Sequence, residues 1–260
     1  MKTAVIAPLG LSPPIATAFI NGIGERVNDL VLIVTEDENV MAGFELVRIG
    51  MKLKYPRTRV HMVVLPFDDI YTTEDNLVFM SIAAKTIKEE RERYNCDRVL
   101  LNVAGGRKNM CITLSLLGQL MGVDGVYHVV NKNVSIINQA LEALREDIKR
   151  MYLTKNEEEK IKIYKEKEEY FDHLLFPKKD EYEIIRIPTL PYPKEYLTKI
   201  VNSVLNNLEE LSEEEKLLLE RHGILKKLGR RFYLTEYGKE FLRVLSVSYT
   251  HLTLPTICSV

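Results

Sequence analysis

Five short apolar runs, each continuous rather than alternating and each followed by a segment of helical character, limit what this chain can fold into. They are residues 3–7 (TAVIA), 30–35 (LVLIVT), 59–65 (RVHMVVL), 98–103 (RVLLNV) and 125–130 (GVYHVV). A strand that is apolar along both faces must be covered on both faces, and helices between such strands make the sheet parallel. The intervening helices are expected at about 13–22, 39–54, 76–94 and 109–121. Pro13 and Pro14 suit the opening of the first, because the first turn of a helix has no use for their missing amides. In such sheets ligands bind beyond the carboxyl ends of the strands, here residues 8–14, 35–39, 66–69 and 104–109.

The texture changes after residue 136. Leu141, Leu144, Ile148 and Met151 keep a helical stripe, whereas residues 156–169 (NEEEKIKIYKEKEE) are mostly charge. A helical insertion is expected over about 136–180, its charged part a protruding hairpin with solvated faces. Residues 182–187 (YEIIRI) read as a returning strand, which closes a ligand-binding α/β domain over 1–190. The expected fold class is α/β: a Rossmann-like, mostly parallel sheet with a helical insertion and a small C-terminal module. Pro188, Pro191 and Pro193 mark the linker. Beyond it come a helix from 194, a capping-box start at Ser212 and Glu215, and a basic glycine turn holding Lys226, Lys227, Gly229, Arg230 and Arg231. A short strand and a helix capped by Thr235 follow, so 194–246 has the layout of a winged helix. Residues 247–256 (VSYTHLTLPT) are one translation of a transposon-end adaptor used in sequencing libraries, and 247–260 are expected to be non-native.

Several function classes fall away. With a net charge of −1 the chain as a whole does not attract nucleic acid, so any such contact must be local. No signal peptide or membrane-length apolar stretch is present, and the expected location is cytoplasmic. Cys96, Cys111 and Cys258 lack the spacing of a disulfide framework or a zinc site. No GxGxxG follows the first strand and no GxxxxGK[ST] occurs anywhere, which argues against a dinucleotide oxidoreductase and a P-loop ATPase. His61 and His128 lie inside strands and read as packed or surface residues. Glu36, Asp37 and Glu38 with Asp68 and Asp69 read as a solvated acidic loop rather than a metal site. No cofactor and no metal are expected.

The residues that carry chemistry are Gly105, Gly106, Arg107, Lys108 and Asn109, in the run AGGRKNM after a buried strand and at a helix start. Two glycines let backbone approach a ligand closely, and a helix N-terminus aims amide donors and its positive dipole end at one spot. Arg107 offers a planar fork to phosphate and Lys108 a mobile charge. The plainer reading is a glycine turn with two solvated cations. Gly10, Leu11 and Ser12 leave the first strand at the same sheet edge, with Ser12 expected as the N-cap of the first helix.

The run LGLSP after the first strand, GGRKNM after the fourth and the C-terminal layout together resemble CARF proteins, the CRISPR-associated Rossmann-fold sensors. The resemblance covers residues 1 to about 190, with the winged helix to about 246. It implies a homodimer that binds cyclic oligoadenylate, the messenger of type III CRISPR defence (cyclic tetra-adenylate is the expected ring), across its two-fold axis. Ser12 and Lys108 would stand at the phosphates, supported by Gly105, Gly106 and Arg107. Some relatives are ring nucleases, which implies a metal-independent cleavage in which Ser12 positions and Lys108 stabilises charge.

Two alternatives stay open. One is a ligand-gated transcription regulator whose winged helix meets DNA or RNA through Lys226, Lys227, Arg230 and Arg231. The other is the sensing half of an effector ribonuclease whose catalytic domain was lost at the adaptor junction. The Arg-x4-His pair of HEPN ribonucleases does not occur in the chain.

Overall fold

Continuous apolar strands arise here because helices cover both sheet faces. In the structure, a computed structural model that describes residues 1–190 and 193–246, β1 (Thr3–Pro8) is buried throughout and so is β2 (Asp29–Val34). Along them Val5, Ala7, Leu30 and Leu32 enter one core while Ile6, Val31 and Ile33 enter the other. β3 (Arg59–Val64), β4 (Arg98–Asn102), β5 (Gly125–Asn131) and β6 (Tyr182–Ile187) complete a six-stranded sheet of order β3-β2-β1-β4-β5-β6. The first five strands are parallel, with Val5 beside both Leu30 and Leu100, and β6 runs antiparallel to β5. This is the Rossmann-like α/β fold expected. Full burial is confined to the centre of the sheet: β3 and β6 are edge strands, and Met62 and Val64 on the one and Ile185 on the other are exposed.

The helices α1 (Pro14–Gly22) and α2 (Glu38–Lys54) cover one face, and α3 (Thr73–Glu92) and α4 (Lys108–Leu120) the other. The chain leaves β1 in one direction, toward β2 and β3, and leaves β4 in the other, toward β5. A crevice therefore opens between the carboxyl ends of β1 and β4, the topological switch point where α/β sheets bind ligands.

The insertion forms α5 (Val134–Ala143), α6 (Arg145–Leu153), α7 (Glu157–Glu166) and α8 (Glu168–Leu175). The charged segment does not protrude as expected. Ile163, Tyr164, Phe171, Leu174 and Leu175 are buried in the core beneath α2, and the Tyr164 and Phe171 rings stack at 5.0 Å. Gly50 makes this docking feasible, since a side chain there would collide with Leu175. The charges are also largely paired: Arg48 Nη1 donates to Glu157 at 2.8 Å, and Lys160 pairs with Glu45. Burial raises the Tyr164 hydroxyl far above its usual range, helped by Asp172, to which it donates at 2.8 Å.

Beyond the linker come α9 (Lys194–Asn206), a 3-10 turn (Leu208–Glu210), α10 (Glu213–Arg221), the hairpin β7 (Leu225–Leu228) and β8 (Arg231–Leu234), and α11 (Glu236–Ser246). Ser212 and Glu215 close the capping box expected of them, each accepting from the other's backbone amide. Leu197, Val201, Leu211, Ile224, Leu225 and Leu242 form a separate small core, and α11 also sets Val244 against the α3–α4 side of the sheet. The expected adaptor-derived tail, 247–260, lies outside the described residues.

Candidate functional site

The site is built by two loops that interlock through their backbones. Leu9 continues from β1 and is fixed by its amide, which donates to the Ile33 carbonyl at 2.8 Å. On the other side Asn102, fully buried at the end of β4, accepts from the Ala104 amide at 3.2 Å and donates to the Ile15 carbonyl at 3.2 Å. The strand end is thereby tied to α1. Between these anchors Gly10 lies against Gly106 so closely that a Cβ on Gly10 would stand 3.0 Å from the Gly106 nitrogen. A Cβ on Gly105 would strike the Pro8 carbonyl, and Gly106 has φ +76°. The close approach, and not flexibility, is what requires glycine.

Gly105, Gly106, Lys108 and Asn109 have backbone amides with no acceptor among the described residues. They stand at the start of α4, where orphan donors and the helix dipole favour an anion. The Gly105 carbonyl is turned away, accepting from Cys111 Sγ at 2.9 Å. Burial raises the Cys111 pKa, which keeps this thiol in its donating form.

Gly10, Leu11, Ser12, Gly105, Gly106 and Arg107 all line one open cavity of about 290 Å³. Lys108 and Asn109 do not line it; they stand at its edge, as the first residues of α4. Two sequence expectations are corrected here. Ser12 is not the N-cap of α1: Pro13 holds that position and there is no side-chain cap, since Pro14 has no amide to offer the Ser12 hydroxyl and the Ile15 amide goes to the Ser12 carbonyl. The Ser12 hydroxyl consequently makes no hydrogen bond among the described residues. Arg107 is not free for phosphate, since its guanidinium pairs with Asp69. Lys108 has no ion pair among the described residues and is the uncommitted cation of the turn.

Glu36, Glu38 and Asp68 are exposed, as expected of a solvated loop, while Asp37 and Asp69 are half-buried and engaged. Asp37 caps α2, accepting from Asn39 N at 2.8 Å and Val40 N at 3.1 Å, while Asp69 holds Arg107. Thr35, Asp37, Asp68, Met110 and Asn138 join the cavity wall. Asn138 belongs to α5 in the insertion, and its presence here had no local sequence signal. A second cavity of about 560 Å³ shares Leu11 and Asn138 with the first and runs between α2 and the helices α5 and α6.

The opposite end of the sheet carries a different polar cluster. Asp29, Glu90 and Cys96 place their ligand-type atoms within 4.8 Å of one another. Asp29 is already taken by Arg59 at 2.6 Å and Lys2 at 3.5 Å, and His61 Nε2 is 3.3 Å away. Burial works against the Asp29 charge, but the Arg59 contact prevails and lowers its pKa. Burial raises Glu90, and burial with the Glu90 carboxylate pushes the Cys96 thiol up to about 12. With two cations committed to Asp29, the group suits a neutralised buried network better than a metal. His128 stays half-buried beside the Val103 carbonyl at 3.4 Å, as a packed residue.

No curated protein sequence matches this chain. Among solved structures it is similar to Enterococcus italicus Csm6 bound to cyclic hexa-2'-fluoro-hexa-dAMP, with 16% identity and a TM-score of 0.46 over 94% of this chain and 54% of that one. It is also similar to Can2 from Sulfobacillus thermosulfidooxidans in complex with cyclic tetra-adenylate, with 10% identity and a TM-score of 0.36 over 96% of this chain and 65% of that one. The protein VC1899 from Vibrio cholerae matches with 8% identity and a TM-score of 0.38, over 94% and 66%. The chain thus spans about half to two-thirds of the length of these proteins. Residues 12–222 match the model of the CRISPR-associated protein NE0113 family, from the serine of the first loop to the end of α10. The CRISPR association read from the two loops together with the C-terminal layout is borne out, and the chain belongs to the CRISPR-associated NE0113 family.

Proposed function

We propose that this protein binds cyclic oligoadenylate at the carboxyl edge of its sheet and cleaves the ring slowly without a metal, as part of type III CRISPR defence. The observation that carries the reading is the set of unspent amides at Gly105, Gly106, Lys108 and Asn109, next to a cavity that also holds the unpartnered Ser12 hydroxyl. Cyclic tetra-adenylate is the ring we favour, on the resemblance of the two loops to those of CARF proteins. In cleavage a ribose 2'-hydroxyl attacks the adjacent phosphorus in line; Ser12 aligns the phosphate and Lys108 stabilises the developing charge.

A second copy would complete the site. Leu11, Ile112 and Leu116 are all more than half exposed, and the last two are one turn apart on α4, directly after the glycine turn. An apolar stripe so placed favours a two-fold dimer with the ligand bound across the axis. For residues 194–246 we favour a winged-helix module that passes the signal on. The regulator reading draws on Lys226, Lys227, Arg230 and Arg231 of the β7–β8 hairpin. However, α10, which would have to enter a groove, opens with Glu213, Glu214 and Glu215. Three carboxylates there repel a phosphate backbone.

The test is incubation of saturating protein with radiolabelled cyclic tetra-adenylate in excess EDTA, scoring binding and products together. The expected product is a linear oligoadenylate ending in a 2',3'-cyclic phosphate. Binding with an intact ring leaves a sensor; no binding rejects the proposal. No helix among the described residues is long and apolar enough to cross a membrane.

A further inference from the structure

The same cavity contains a carboxylate that a polyanion site ought to exclude. Asp68, from the loop after β3, lines it together with Ser12, Gly105 and Gly106. Its neighbours have other duties, Asp69 on Arg107 and Asp37 on the α2 cap. Asp68 itself has no hydrogen bond or ion pair among the described residues. A carboxylate only accepts hydrogen bonds when ionised, so beside bound phosphates it costs affinity unless a ligand donor faces it. The cavity is at the small end of ligand pockets, so that donor must sit close to the phosphate held by the glycine turn.

On a 3'–5' linked ribonucleotide ring, the donor adjacent to each phosphate is the ribose 2'-hydroxyl. We infer that Asp68 accepts the hydrogen bond of this hydroxyl and is the general base of ring opening, an inference that rests on the proposed function. The Asp68 carboxylate takes the 2'-hydroxyl proton as O2' bonds to phosphorus and the P–O5' bond breaks. The departing O5' takes a proton from water, leaving a 2',3'-cyclic phosphate and a 5'-hydroxyl. Asp68 returns its proton to solvent, so the step is an isomerisation that needs no co-reactant. Among the described residues no histidine lines the cavity to compete for the role.

The experiment compares full-length wild type, Asp68→Asn and Asp68→Glu in single-turnover cleavage of cyclic tetra-adenylate at saturating enzyme, across about pH 4 to 8. Asp68→Asn should slow cleavage by about 10²–10³-fold and lose the rise of rate with pH, as removal of a base requires. Its affinity should hold or improve, because a repelling charge is gone, and Asp68→Glu should recover the pH-dependent limb. In parallel, wild type should bind the ring more tightly than its all-2'-deoxy counterpart, and Asp68→Ala, which has no acceptor left, should lose that preference. An Asp68→Asn protein that cleaves within about threefold of wild type, on the same pH profile, overturns the base. An Asp68→Ala protein that keeps the wild-type preference for the ribose ring overturns the contact. Wild type that binds without cleaving removes the base role but leaves the binding comparison to decide the contact. Wild type that binds neither ring rejects the proposed function, and this inference with it.

Discussion

Arg107 closes a two-pronged ion pair on Asp69, with Nη2 2.6 Å from Oδ2 and Nε 2.9 Å from Oδ1. The pair ties the loop after β3 to the glycine turn after β4 and turns the guanidinium away from the role its sequence position suggests. Lys108 is left as the cation available to a phosphate. Lys108→Ala should weaken cyclic tetra-adenylate binding by about 10–100-fold, the loss expected for one charge-assisted hydrogen bond. Arg107→Ala and Asp69→Ala should each cost less than about fivefold, and the double variant no more than either, since they remove one shared contact. Calorimetry on the four proteins checks this, and a larger loss for Arg107→Ala than for Lys108→Ala would reverse the assignment.

Gly105→Ala should damage fold and site together. The added methyl meets the Pro8 carbonyl, which is backbone and cannot swing aside. A destabilisation of about 1–3 kcal/mol is expected from such overpacking. Thermal melts report it, and ligand binding should be lost even at temperatures where the variant stays folded.

The fastening of α7 to α2 should fail in acid. The Arg48 hydrogen bonds hold the Glu157 carboxyl at a pKa of about 2 against an ordinary 4.5, and Lys52 adds to the effect. A group lowered on folding gives stability that is complete above 4.5 and is lost as pH falls toward 2. Glu157 is 39% exposed, so after solvent screening the contribution is about 1 kcal/mol or less. Urea melts of wild type and Glu157→Gln should differ at neutral pH and converge toward pH 2 to 3, roughly the end of that window. A constant gap at all pH values would show that the pair is not responsible.

Leu116→Asp should make the protein monomeric. The side chain is 58% exposed on the free chain, so the substitution costs the fold little while placing charge on the proposed contact face. Sedimentation velocity gives the mass, and ligand affinity should fall with the dimer. A wild type that is itself monomeric at micromolar concentration would dispose of this interface.

The sheet was legible because burial on both faces leaves an unbroken apolar run in β1, β2 and β4, a pattern that survives without knowledge of the partners. β3 carried the same signal yet is an edge strand, since periodicity reports side-chain type and not which strand is outermost. The glycine turn was legible for a related reason: a backbone contact as close as that of Gly105 on Pro8 leaves only one residue type. What chain neighbours could not reveal was tertiary choice. Arg107 reads as a phosphate ligand until Asp69 is brought within 2.6 Å. Asp68 is exposed, as its sequence suggests, but its place on the cavity wall is set only by the fold, and Asn138 arrives from an insertion with no local motif. The charged run at 156–169 looked solvated because Ile163 and Tyr164 are sparse within α7; only with Phe171, Leu174 and Leu175 of α8 beside them do they make a buried face.

The interlock of Gly10 with Gly106 also bears on how this protein can change over time. The contact that shapes the turn is between main-chain atoms, and three glycines answer for it. Leu11, Arg107, Lys108 and Asn109 are held in place by that frame without supporting it, so each can be exchanged while the frame stands. Ligand preference is therefore open to single substitutions, whereas the architecture of the turn is closed to them. A library randomised at those four positions should keep most members folded while spreading their ligand choice, and the same library at Gly10, Gly105 and Gly106 should yield few folded proteins.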